Sequence, residues 1–157
     1  MTLAEDLLEI AKSKGVVIST AESCTGGMVS AAITDIAGSS AILDRGFVTY
    51  TNAAKVQMLG VSPETLDTHG AVSEEVAREM AIGAVSHSAA TIAVAITGIA
   101  GPGGSEFKPE GRVCFGIASR NGTITETVEF GAIGRKNVRD SAKNHALRLL
   151  LTASSQF

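Results

Sequence analysis

Residues 20–27, T-A-E-S-C-T-G-G, lie between a short apolar run and a helically spaced segment, a place where a nucleophile can meet backbone amides. The start of a helix carries unpaired N–H groups and a partial positive charge, suited to an oxyanion or a phosphate. Ser23 is therefore a candidate nucleophile, with an oxyanion hole built from the N–H groups of Cys24, Thr25 and Gly26. Equally, Ser23 or Thr25 can serve as an ordinary N-cap, since Ser and Thr are preferred there. The segment is not a nucleophile elbow, because Ala21 stands where the first glycine belongs. It lacks the Gly-Lys-Ser/Thr of a P-loop as well. Cys24 is a rival nucleophile, because a thiol at a helix start can have a depressed pKa.

Either nucleophile needs a base, and the chain has only 3 histidines, none in a promising context. His145 falls on the apolar side of the last helical segment, where a packed core or interface histidine is expected. His87 follows Ser86 at a helix end, where its charge suits the dipole. His69 precedes Gly70 in a turn. Lysine is the remaining ordinary choice, and Lys55 offers one. With Asn52 as the cap of a helix, Lys55 falls in its first turn, where an ammonium opposes the macrodipole and the pKa is expected to move down. A lysine base has to fall from about 10.4 toward about 7–8 to work near neutrality. Tyr50, just ahead, is placed to relay the proton or hold the amine. Taken alone, Lys55 is also an ordinary solvated lysine on an exposed turn.

Two further features point to an anionic small molecule. Gly98, Gly101, Gly103 and Gly104 form a loop after Thr97 whose backbone can approach a ligand and aim N–H groups at it. An ordinary turn is an equally good account of it. Arg135, Lys136 and Arg139 follow Gly134 in the first turns of the last helix, where cations are unfavourable unless a bound anion offsets them. Arg139 is placed to bridge a phosphate bidentately, although a solvated basic face partnered by Asp140 explains it too. No His/Cys/carboxylate cluster has metal-ligand spacing, so no metal is expected.

The elements that must hold these residues alternate. Leu3, Leu7, Ile10 and Ala11 predict a first helix closed by Gly15. Residues 16–20 predict a buried strand, and Val29, Ala32, Ile33 and Ile36 a helix ending before Gly38. A strand over 46–51 runs into the helix capped by Asn52 and closed by Gly60, and Pro63 starts a short turn or helix toward His69. Ser73-Glu74-Glu75 opens a helix with a small-residue face at Ala77, Ala81 and Ala84, which would admit close packing against a second copy. Residues 91–97 form a continuous apolar strand. Asn121-Gly122 joins strands over 112–119 and 123–129 as a hairpin. Val138, Ala142, Ala146 and Leu149 mark a terminal helix. The pattern predicts a single α/β domain over 1–157, a three-layer α/β/α sandwich around a mixed sheet.

Composition narrows the partners. The 157 residues carry a formal charge of −3 and are 4% aromatic, which leaves no basic face for duplex DNA and few rings for a single strand. Two separated cysteines indicate neither a disulfide framework nor zinc. The first ten residues carry three acids and no cationic start, and no run is long enough to span a membrane. A cytoplasmic protein is expected.

Taken together, T-A-E-S-C-T-G-G, D-I-A-G-S-S, F-V-T-Y-T-N-A-A-K, H-G-A-V-S-E-E-V, T-G-I-A-G-P-G-G and N-V-R-D-S-A resemble the CinA C-terminal domain family, the PncC-type nicotinamide-nucleotide amidases. The resemblance runs nearly the whole chain and corresponds to the stand-alone form, so the pyrophosphatase activity of longer members is not implied. It implies hydrolysis of nicotinamide mononucleotide to nicotinate mononucleotide and ammonia, with no cofactor. It also implies Ser23 as nucleophile, Lys55 as base and Tyr50 as helper. Asn52, the loop from Thr97 to Gly104 and Arg139 are then expected at the nucleotide site. Within the following stretch, residues 105–111, Glu110 stands where a small apolar residue is expected. The competing class is a non-catalytic nucleotide-binding or interaction module built on the same loops.

Overall fold

The computed structural model describes residues 1–105 and 107–157; Glu106, in the stretch after the glycine loop, lies outside the described residues. Helix α1, Leu3–Lys14, starts at Thr2, whose side chain accepts from Glu5 N while Glu5 reaches back in a capping box. It ends at Gly15 in the left-handed region. Strand β1, Ile18–Glu22, is buried at every position. Helix α2, Met28–Thr34, and strand β2, Leu43–Val48, follow, with a short 3₁₀ turn at Ser39–Ala41 between them. Helices α3, Asn52–Leu59, α4, Pro63–His69, and α5, Glu74–Ser86, lead to the buried strand β3, Ile92–Gly98. Strands β4, Arg112–Ser119, and β5, Gly122–Glu129, form the expected hairpin, and α6, Arg135–Ser155, closes the chain.

The sheet order is β2-β1-β3-β4-β5. The first three strands are parallel, and β4 pairs antiparallel with both β3 and β5. One face packs against α1, α2 and α6 through Leu7, Val29, Phe115 and Leu150. The other packs against α3, α4 and α5 through Leu59, Leu66, Val76 and Met80. This is the three-layer sandwich with a mixed sheet that the alternation predicts.

Three details differ from the sequence expectations. The small face of α5 is used inside the chain: Ala77, Ala81 and Ala84 are fully buried. A Cβ at Gly116 would stand 2.5 Å from the Ala77 carbonyl, so α5 lies too close to β4 for larger residues. Those alanines are therefore not a surface for a second copy. Strand β1 begins at Ile18, two residues later than the apolar run, because Val17 already gives its carbonyl to Thr91 and Ile92. Strand β2 starts at Leu43 and ends at Val48, and α3 is capped by Thr51, whose hydroxyl accepts from Ala54 N at 3.1 Å. Asn52 is the first helical residue instead of the cap.

The parallel register decides where a ligand can sit. Glu22 stands opposite Val48 on one side and Ile96 on the other, so the carboxyl ends of β1, β2 and β3 finish together. The chain leaves β1 through α2 over one face and returns from β2 to β3 through α3, α4 and α5 over the other. Crevices in α/β sheets form at such a reversal, beyond the carboxyl ends of the strands. Among the described residues no helix is long and apolar enough to cross a membrane.

Candidate active site

Ser23 is the first residue past β1, and its N–H donates to the Ile96 carbonyl at 3.0 Å, extending the parallel pairing by one step. Lys55 comes from the first turn of α3, beyond the end of β2. Its amine-bearing arm runs inward: Lys55 is 1% exposed, and Nζ lies 3.1 Å from Ser23 Oγ. Nζ also donates to the Thr49 carbonyl at 3.0 Å and to the Tyr50 carbonyl at 3.4 Å. A solvated lysine on an exposed turn is thereby excluded. A hydroxyl and an amine in buried contact are the pair required for serine activation without histidine.

The turn that presents Ser23 is held by a carboxylate that sequence reasoning missed. Glu22 is completely buried. Its Oε1 accepts from Thr25 Oγ1 at 2.6 Å, from Gly27 N at 3.2 Å and from Val29 N at 3.0 Å, and its Oε2 from Ser30 N at 3.1 Å. The first amides of α2 are therefore capped from inside, and the helix start does not offer them to a ligand. Gly26 N is also engaged, by Ser23 O at 3.1 Å. The one sequence signal for this role was an acid in a buried run immediately ahead of a Ser/Thr/Gly helix start.

Arg139 stands behind the same turn. Its Nε donates to the Cys24 carbonyl at 3.0 Å and its Nη2 to the Thr25 carbonyl at 3.4 Å, which ties α6 to the turn after Ser23. Burial pushes the Cys24 thiol up to about 11, against the small opposing pull of its own amide and of Arg139. Burial therefore shifts this thiol in the direction opposite to the depressed pKa expected of an activated helix-start cysteine.

A cavity of about 340 Å³ opens in front of this pair. Ser23, Cys24 and Lys55 form part of its wall, with Tyr50, Asn52, Thr97 and Gly98. The glycine loop, including Gly101, Gly103 and Gly104, and Arg135 complete it. Thr97 is fixed by donating to the Ala71 carbonyl at 2.8 Å. A Cβ on Gly98 would meet Val113 Cγ2 at 2.7 Å and Cys24 Sγ at 3.1 Å, so glycine is required for the turn and the loop to pass each other. Gly101 and Gly103 adopt φ of 89° and 83°. Glu110, the residue that stood out in sequence, accepts from Gly103 N at 2.9 Å and packs on Gly101, which fastens the loop.

Most of the residues singled out in sequence converge on this cavity. Thr25, Gly26 and Arg139 do not line it: Thr25 is buried on Glu22, and Gly26 and Arg139 buttress the turn. The cation at the rim is Arg135, which donates to the Gly101 carbonyl at 2.7 Å and to the Tyr50 hydroxyl at 3.0 Å. Tyr50 thus meets Lys55 through its carbonyl and Arg135 through its phenol. The histidines lie elsewhere: His145 bonds Glu126 and packs its ring at a tilt 4.5 Å from that of Phe115, His87 caps α5, and His69 pairs with Glu75.

Comparison with known proteins agrees in sequence and in fold. The family model for the CinA C-terminal domain matches residues 1–154. Nicotinamide-nucleotide amidohydrolase PncC of Escherichia coli K12 is 53% identical over 151 residues, covering 96% of this chain and 92% of that protein. The PncC protein of Enterobacter agglomerans is 51% identical, covering 89% of this chain and 86% of its own. Among solved structures, competence/damage inducible protein CihA from Agrobacterium tumefaciens superposes with a TM-score of 0.92 at 51% identity, covering 96% of this chain and 92% of that one. A CinA superfamily protein from Klebsiella pneumoniae superposes with a TM-score of 0.94 at 35% identity, covering 99% and 97%.

Proposed function

The chain belongs to the CinA C-terminal domain family, and on that premise we propose that it is a nicotinamide-nucleotide amidase, converting nicotinamide mononucleotide and water to nicotinate mononucleotide and ammonia. The observation that carries this is the 3.1 Å contact of Lys55 Nζ with Ser23 Oγ at the floor of a nucleotide-sized cavity. Close relatives named as nicotinamide-nucleotide amidohydrolases supply the substrate.

The chemistry runs in two halves. Neutral Lys55 takes the Ser23 hydroxyl proton as Oγ bonds to the carboxamide carbon. The tetrahedral oxyanion is received by backbone N–H groups of the Ser23 turn. Those of Gly26, Gly27, Val29 and Ser30 already have acceptors. We therefore assign the oxyanion to the amide of Cys24, a residue in the cavity wall, and Arg139 steadies that turn from behind through the Cys24 and Thr25 carbonyls. As the C–N bond breaks, Lys55 returns the proton to the departing nitrogen and ammonia leaves. Water then attacks the acyl-serine with Lys55 as base, and the carboxylic acid is released with Ser23 restored. The Thr49 and Tyr50 carbonyls hold the amine in line throughout. Every proton is carried by substrate, water, Ser23 and Lys55, and a cytoplasmic location follows from the pyridine-nucleotide substrate.

The test is ammonia release from nicotinamide mononucleotide with and without chelator, together with mass spectrometry of the protein quenched during turnover. Chelator-insensitive turnover and a nicotinoyl-nucleotide adduct on the Ser23 peptide are expected. Tight binding of the mononucleotide without any ammonia would replace the amidase with a nucleotide-binding module.

A further inference from the structure

The cavity has two basic residues in its wall, and they differ sharply in exposure. Lys55 is buried against Ser23 at the floor, whereas Arg135 is exposed at the mouth. Among the described residues no carboxylate lines the cavity. The basic residues around Arg135 are otherwise engaged: Lys136 pairs with Asp140 at 2.7 Å, and Arg139 is bound to the carbonyls of Cys24 and Thr25. Arg135 instead holds two neutral acceptors, the Gly101 carbonyl and the Tyr50 hydroxyl. No carboxylate among the described residues pairs with it.

From this we infer that Arg135 binds the phosphate of the nucleotide and sets the preference for the mononucleotide over its riboside. The inference rests on the amidase reading for the identity of the ligand. With the carboxamide at Ser23, the phosphate end of an elongated nucleotide points to the mouth. A guanidinium presents five N–H donors in a planar fork, and two of them here face neutral oxygens. A phosphate replaces weak acceptors with charge-assisted ones, and no ion pair has to break first. The bonds to Tyr50 and Gly101 already restrict the side chain, so less rotamer freedom is lost when the anion arrives. Arg139, the residue favoured in sequence for this task, has its Nε and Nη2 committed to the turn instead.

The experiment compares wild type, Arg135→Gln and Arg135→Lys on nicotinamide mononucleotide and nicotinamide riboside. Ammonia release gives kcat and KM, and calorimetry gives the affinity for nicotinate mononucleotide. Wild type is expected to prefer the mononucleotide. In Arg135→Gln that preference falls about tenfold to a hundredfold through KM, and the affinity for nicotinate mononucleotide falls by a similar factor. Arg135→Lys keeps the charge without the fork and recovers part of the loss. If Arg135→Gln retains the wild-type preference and the wild-type affinity, the assignment is wrong. A wild type that releases no ammonia from the mononucleotide overturns the amidase reading alone. Arg135 is then judged by calorimetry, where unchanged affinity in Arg135→Gln overturns it and weakened affinity supports it.

Discussion

Lys55 Nζ lies 3.1 Å from Ser23 Oγ although 32 residues separate them in the chain, and both side chains are almost wholly buried. A buried amine on a buried hydroxyl is costly as scaffolding, because each polar group gives up water. We predict that Ser23→Ala and Lys55→Met each reduce kcat on nicotinamide mononucleotide by about ten-thousand-fold. The double variant should be no worse than either single one, since the two residues act as a unit. Steady-state ammonia release on all three variants is the measurement. Additive losses would mean that the residues work separately.

Glu22 leads to a prediction about stability instead of chemistry. Its carboxylate accepts from the Gly27, Val29 and Ser30 amides and from Thr25, and a glutamine has only one acceptor oxygen to offer. Glu22→Gln is expected to cost about 3 kcal/mol by stranding buried donors. A chain of this size should then melt lower by roughly 10 °C. Thermal unfolding followed by circular dichroism reads this directly. A change of under 1 °C would mean that the turn does not depend on the carboxylate.

What sequence could and could not disclose divides along physical lines. Periodicity and turn chemistry depend on neighbours a few residues away, so α4, α5, the β4–β5 hairpin and the mixed three-layer sheet were legible. Lys55 was legible as a candidate site residue because helix position and the shortage of histidines both favoured it, and it does line the cavity beside Ser23. Its burial was not, since a lysine in a first turn gives no sign of where its arm goes. That Arg135 and not Arg139 lines the cavity was hidden for the same reason. Both lie in the first turns of α6, and only the packing of α6 against the Ser23 turn decides which one faces the cavity. Glu22 was hidden because its partners are backbone amides, which have no sequence signature.

Gly98 separates the glycine loop from the nucleophile turn, and its lack of a side chain is a packing requirement. Gly98→Ala would place a methyl 2.7 Å from Val113 Cγ2 and 3.1 Å from both the Arg112 carbonyl and Cys24 Sγ. Relief requires the end of β3 or the Cys24 turn to move. We expect a loss of about 1–3 kcal/mol in stability and of about a hundredfold in turnover from displacement of the Cys24 turn, to which the proposed mechanism assigns the oxyanion. Chemical denaturation and ammonia release on the same preparation test both. Wild-type turnover in a folded Gly98→Ala would show that the turn has room that the packing denies it.

The Cys24 thiol makes the stability of the fold fall with alkali. Burial raises it from 9.0 to about 11 in the folded chain. In the unfolded chain it ionises at its ordinary value. Between those values the folded state holds a proton that the unfolded state has lost, so stability declines as pH rises through that window. Cys114, also raised by burial, adds to the same slope. The thermal midpoint of wild type is therefore expected to drop between about pH 9 and about pH 11, and Cys24→Ala to flatten that decline. Iodoacetamide at pH 7.5 should label the Cys24 peptide at least about a hundred times more slowly in the folded protein than after denaturation. Rapid labelling of the folded chain would instead mean a thiolate at the site, and would restore Cys24 as a rival to Ser23.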